Sequence, residues 1–158
     1  MKTSLSKKEQ ERAIQEYNNG TKCNVVCKKY GISHTTFYRY KGMSEINKNK
    51  EMGKNILIGI CHKNFSVQAI QLVNELLEYG ANPNATNEKG QTSLIVLCKY
   101  NHGENAIDIA KLLIHYGIDV NMQDNKRNTA LSELVKYNKS DFVNDLMKLL
   151  LENNAKFE

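Results

Sequence analysis

The sequence predicts an all-α protein in two parts: a three-helix unit over residues 1–44, a linker at 45–52, and three stacked two-helix repeats over 53–158. Three observations carry that prediction. Residues 53–158 match themselves at one dominant spacing of 37, which divides them into 53–89, 90–126 and 127–158. Within each division apolar residues recur at helical intervals, and glycine or asparagine follows the last of them. Before residue 45, helix-starting Ser and Thr alternate with helix-ending glycines.

The first helix opens on a capping box, Ser6 with Glu9, has an apolar side at Ala13, Ile14 and Tyr17, and stops at Asn18, Asn19 and Gly20. Thr21 is placed to cap a second helix that ends at Gly31, and Ser33 a third that runs to about Lys41. Cys27 is small where these two would cross. Val26, Tyr30, Ile32, Phe37 and Tyr40 supply the apolar contacts.

In the repeats, Gly53, Gly90 and Arg127 share one position, as do Asn55, Thr92 and Thr129, then Leu57, Leu94 and Leu131, and Ile60, Leu97 and Leu134. The second helices align through Leu72, Ile109 and Leu146, then Leu76, Leu113 and Leu150, and close at Gly80, Gly117 and Asn154. Residues 119–128 are polar and turn-forming, as a projecting finger requires. Cys61 and Cys98 occupy one repeat position, which makes them small core residues. In the last unit Asn144 replaces Ile70 and Ile107, and a polar outer face suits the end of a stack. Ile56 and Ile58 are expected at the surface of the first unit unless the N-terminal unit or residues 44–52 cover them.

Charge is unevenly distributed. Residues 1–50 carry 11 Lys or Arg against 4 Glu, whereas the rest is close to neutral; a basic head fits a nucleic-acid contact confined to the N-terminus. No apolar run has the length of a signal peptide or a membrane span, so an intracellular protein is expected, cytoplasmic or nucleoid/nuclear. Four scattered cysteines suit a reducing compartment, and none forms a Cys-x-x-Cys pair. With four histidines and no metal-ligand spacing, neither a metal nor any other cofactor is expected. Cys23, Cys27 and His34 are assigned to packing and surface. There is no nucleophile with a recognisable base, no phosphate-binding glycine loop and no spaced carboxylate pair, so no catalysis is expected. The abundance of asparagine is read as compositional bias.

Gly90-Gln91-Thr92-Ser93-Leu94, with Leu76-Leu77-Glu78-Tyr79-Gly80-Ala81-Asn82-Pro83-Asn84 and its counterpart at 113–121, resembles the ankyrin repeat family over residues 53–158. The period exceeds the family's roughly 33 residues. The excess falls in the link at 101–105, and the Pro and His of the family's first-helix motif are replaced by Ser93, Ala130, Ile95 and Ser132. The resemblance implies a protein partner bound on the concave face by finger tips and first helices. Carried across by position, the residues are Met52, Lys54, His62 and Lys63 in the first unit, Glu88, Lys89, Gln91, Lys99 and Tyr100 in the second, and Asn125, Lys126, Asn128, Lys136 and Tyr137 in the third. These positions interrupt the apolar periodicity. The tyrosines are candidate anchors, though they are equally placed to cover helix ends, and the lysines beside them favour an acidic partner.

The run from Cys27 to Tyr40 resembles the DNA-binding segment of transposases and serine recombinases, a homeodomain-like helix-turn-helix. No catalytic domain of either family follows it. The resemblance implies duplex DNA contacted by Ser33, His34, Thr35, Tyr38 and Arg39, with Lys28, Lys29 and Lys41 on phosphates. Arg39 suits a bidentate contact to guanine, and His34 and Thr35 suit base edges. The function expected is a DNA-associated regulator or adaptor, dimeric or partnered because one small unit reaches few phosphates. The alternative is a pure protein-interaction module whose first unit only caps the repeats.

Overall fold

The computed structural model describes residues 5–48, 50–62 and 67–157. Among them the regular structure is helical, with one isolated antiparallel bridge between Thr86 and Thr92. The chain divides into two compact units, Met1–Asn49 and Lys50–Glu158.

In the first unit, α1 (Lys7–Asn18) opens as its sequence requires. Ser6 Oγ accepts the Glu9 N–H at 3.4 Å, and the Glu9 carboxylate accepts the Ser6 N–H at 2.9 Å. Thr21, expected to cap α2 (Cys23–Tyr30), does not do so. Lys22 holds the N-cap with no side-chain bond, and the Thr21 N–H instead donates to the Glu16 carbonyl at 3.1 Å, closing the end of α1. Gly31 takes the left-handed conformation at φ +69°, which lets Ile32 bond back to the Cys27 carbonyl. The next helix, α3 (His34–Lys48), is capped by Ser33, whose Oγ accepts the Thr36 N–H at 3.1 Å. It runs past Lys41 because 42–48 holds one weak breaker, Gly42, and no proline. Most of the expected linker at 45–52 is therefore helical, divided between α3 and α4 (Lys50–His62). Ala13, Ile14, Val26, Cys27, Ile32, Phe37 and Tyr40 form the core of this unit. Tyr30 is only half-buried, and its hydroxyl donates to Glu16 at 3.0 Å.

The second unit stacks two rows of helices. One row is α4, α6 (Ser93–Tyr100) and α8 (Ala130–Tyr137); the other is α5 (Val67–Glu78), α7 (Ala106–His115) and α9 (Val143–Glu152). Each helix packs on its neighbour in the row and on its hairpin partner. Thr92 and Thr129 cap α6 and α8 through their hydroxyls, each cap being worth about 1 kcal/mol. Leu76, Leu94, Leu97, Leu113, Leu131, Leu134, Leu146 and Leu150 are fully buried between the rows, with Cys61 and Cys98 among them. The first repeat departs from the others: α4 begins before Gly53, whereas α6 and α8 begin after Gly90 and Arg127. Among the described residues no finger turn leads into α4, so Gly53 lies within the helix rather than in a left-handed turn before it. Gly90 is demanded twice over, by φ +74° and because a Cβ would fall 2.9 Å from the Asn125 backbone nitrogen. Ile58 is buried and Ile56 half-buried, while Asn144 is exposed on α9.

Asparagines join the repeats. Asn84 accepts the Asp119 N–H at 2.7 Å and donates to the Gly117 carbonyl at 3.0 Å. Thirty-seven residues on, Asn121 accepts the Lys156 N–H and donates to the Asn154 carbonyl in the same way. Asn138, buried, donates to the carbonyls of Cys98 and Asn101 at 3.2 and 3.0 Å.

Candidate nucleic-acid and protein interfaces

Among the described side chains of α3, Phe37 and Tyr40 are buried, which turns His34, Tyr38 and Arg39 to the outside. Tyr38 is 51% exposed. Hydrogen bonding to Cys23 and Tyr17 holds its phenol above the ordinary range. The Arg39 guanidinium lies 5.6 Å from the Tyr40 ring centre, and Lys41 Nζ lies 4.9 Å from that of Tyr17. Lys28 is exposed. Lys29 is also exposed, but its ammonium sits 2.6 Å from Glu16, a contact that holds Lys29 above and Glu16 below their usual values. Ser33 is occupied as a cap. The side chains of Thr35 and Met52, and the whole of Lys63, lie outside the described residues.

In the repeat unit, one register recurs along the first-helix row. His62 stacks on Tyr100 with ring centres 4.4 Å apart, and Lys99, one repeat after His62, places its ammonium 4.3 Å from the centre of Tyr137, one repeat after Tyr100. Lys136 flanks the same ring at 5.1 Å. Lys99 also reaches Glu133, which is 1% exposed, at 2.6 Å. Burial pulls the Lys99 ammonium down, and the bond to Glu133 more than offsets this, leaving it above its usual value. Tyr100 and Tyr137 keep 37% and 43% of their surface in solvent, beside an exposed Val135. Lys54 is half-buried on α4.

Glu88, Lys89, Gln91, Lys99, Tyr100, Asp124, Asn125 and Lys126 line a cleft of about 440 Å³. An adjoining hollow of about 260 Å³ is bordered by Ile58, Gly59, His62, Val96 and Tyr100. The fingers that frame the cleft are built on an acidic or amide side chain. Asn87 Oδ1 accepts the N–H groups of Lys89 and Gln91, and Asp124 Oδ1, one repeat later, accepts those of Lys126 and Asn128. Burial pushes the Asp124 carboxyl up, but these bonds prevail and hold it below the ordinary carboxylate value. Asn128 is turned inward onto Asp124, and Asn125 donates to the Glu88 carbonyl at 3.1 Å.

The family model for ankyrin repeats in three copies matches residues 24–124 and 58–158. The chain belongs to the ankyrin repeat family. Its first 42 residues are matched separately, over 2–42, by the helix-turn-helix domain of resolvase. No curated protein matches the chain. Both families are non-catalytic binding domains, so a binding role is supported on both counts. Among the described residues, no helix is long and apolar enough to cross a membrane.

Sequence reasoning missed three features of the ankyrin face. Glu133 stands at the position held by Gly59 and Val96 in the preceding ankyrin repeats, and a lone acid in an apolar column was the available signal. The hollow beside Gly59 and Val96 follows from the same column. Asp124 was missed as well: it lines the cleft with Glu88, Lys89, Lys99 and Lys126, while Glu133 pairs with Lys99.

Proposed function

We propose that the chain is a non-enzymatic, DNA-associated adaptor or regulator acting inside the cell, with α3 placed on duplex DNA and the first-helix row of the ankyrin unit gripping a protein on its concave side. The observation that carries this reading is the outward face of α3. His34, Tyr38 and Arg39 stand clear of the core on a unit whose basic excess is concentrated in the same residues 1–50. Dimerisation or a partner supplies the remaining phosphate contacts. Retention of the full chain on immobilised duplex DNA, lost in Arg39→Ala, is the expected result. Equal retention of both proteins contradicts the reading.

One observation favours the second reading, a protein-interaction module that makes no use of DNA. Lys29, a candidate phosphate contact, is held by Glu16 within its own unit. That reading expects no retention of either protein.

A further inference from the structure

Cys23 and Cys27 lie one turn apart on α2 with their sulfurs 3.7 Å from one another. His34, the first residue of α3, brings an imidazole nitrogen to them, so that the three donor atoms all lie within 4.8 Å of one another. Packing accounts for Cys27, which is buried against Val26, Ile32 and Phe37 in the core set of this unit. Cys23, half-buried, is hydrogen-bonded to Cys27 and Tyr38, contacts that a bound metal would replace, and His34 is exposed. Two thiols and an imidazole are a donor set that suits zinc, and they reach this arrangement from two helices joined by the turn at Gly31. A tetrahedral ion with Zn–S bonds of about 2.3 Å separates two thiolate sulfurs by about 3.8 Å. The two cysteines already stand at that spacing.

We propose that Cys23, Cys27 and His34 form a three-ligand site for a zinc-type divalent cation, with water as the fourth ligand on the exposed side of His34. Coordination deprotonates both thiols and releases their protons to solvent. It ties the first turn of α3 to the N-terminal half of α2, across the joint that orients the outward face of α3. It also engages one of the two nitrogens of His34.

The test uses the full chain, reduced and freed of metal, titrated with Co(II) and then with Zn(II). The expected result is one Co(II) per chain with a thiolate-to-metal charge-transfer band and tetrahedral ligand-field bands, displaced by Zn(II), and a rise in the thermal midpoint on loading. His34→Ala and Cys23→Ser alter exposed and half-buried positions, so they keep the fold when Cys27→Ser does not. Losing an outer-shell partner already costs metal sites 10–100-fold, so loss of a direct ligand is expected to weaken binding at least about 100-fold. Absence of the charge-transfer band overturns the proposal. So does a band that survives Cys23→Ser, which would belong to Cys61 or Cys98, or an unchanged affinity in His34→Ala.

Discussion

Asn138 shows how much a single amide carries in this chain. It is buried and supplies the donor for two carbonyls of the preceding repeat. Asn138→Ala is expected to cost about 1–3 kcal/mol, since two buried acceptors lose their donor, and urea unfolding measures it directly. Asp124 and Asn87 build the same finger turn with different side chains, one charged and one neutral. Because the folded Asp124 carboxyl lies below its ordinary value, its contribution is present above about pH 4 and is lost as pH falls through the folded value. Asp124→Asn is therefore expected to lower the thermal midpoint at neutral pH and to converge with the parent in acid, as melting across a pH series will show. A gap independent of pH refutes it. These roles were only half legible in the sequence. The matched stretches 76–84 and 113–121 put Asn84 in register with Asn121, yet amide richness reads as composition until the backbone groups it serves are located.

At the level of single helices, α3 and the first-helix row make separate demands on their exposed side chains. On α3, Arg39→Ala is expected to remove about 1–3 kcal/mol of discrimination at one base pair, and Lys28→Ala to weaken all sequences alike. Lys29→Ala should weaken them less than Lys28→Ala, because its ammonium is engaged by Glu16. Competition titrations against a panel of duplexes measure all three, and equal sequence-blind losses from Arg39 and Lys28 place α3 outside the groove. In the repeats, each tyrosine lies beneath the basic residue of the repeat before it, His62 over Tyr100 and Lys99 over Tyr137. Their joint replacement by Ala is expected to weaken partner binding by at least about 2 kcal/mol. A large fall in melting temperature with normal partner binding assigns them to stacking alone. Helix existence was legible from apolar spacing and Ser or Thr starts. The end of α3 and the cap of α2 were not: Gly42 is too weak to stop a helix, and Thr21 is claimed by the close of α1.

For the whole molecule, the period of 37 revealed the ankyrin stack because each repeat buries its apolar face only against the next, forcing leucines into register. The ion pair between Lys99 and Glu133 escaped that logic, since it links different positions in different repeats. The two units also differ in how they meet charge. The N-terminal unit carries an uncompensated basic excess, and with about 4–6 phosphates contacted its DNA affinity is expected to fall with a log–log slope of about −4 to −5 against salt. The ankyrin cleft sets Glu88 and Asp124 among Lys89, Lys99 and Lys126, and Lys99 is paired with Glu133, which leaves less field to screen than on the N-terminal unit. Ionic strength is therefore expected to act as a selector between the two surfaces: raising salt from 50 to 200 mM is expected to cost the DNA complex on the order of 10²–10³-fold while the ankyrin partner stays bound. A salt wash of the assembled complex on immobilised DNA should thus release the chain with its protein partner still attached.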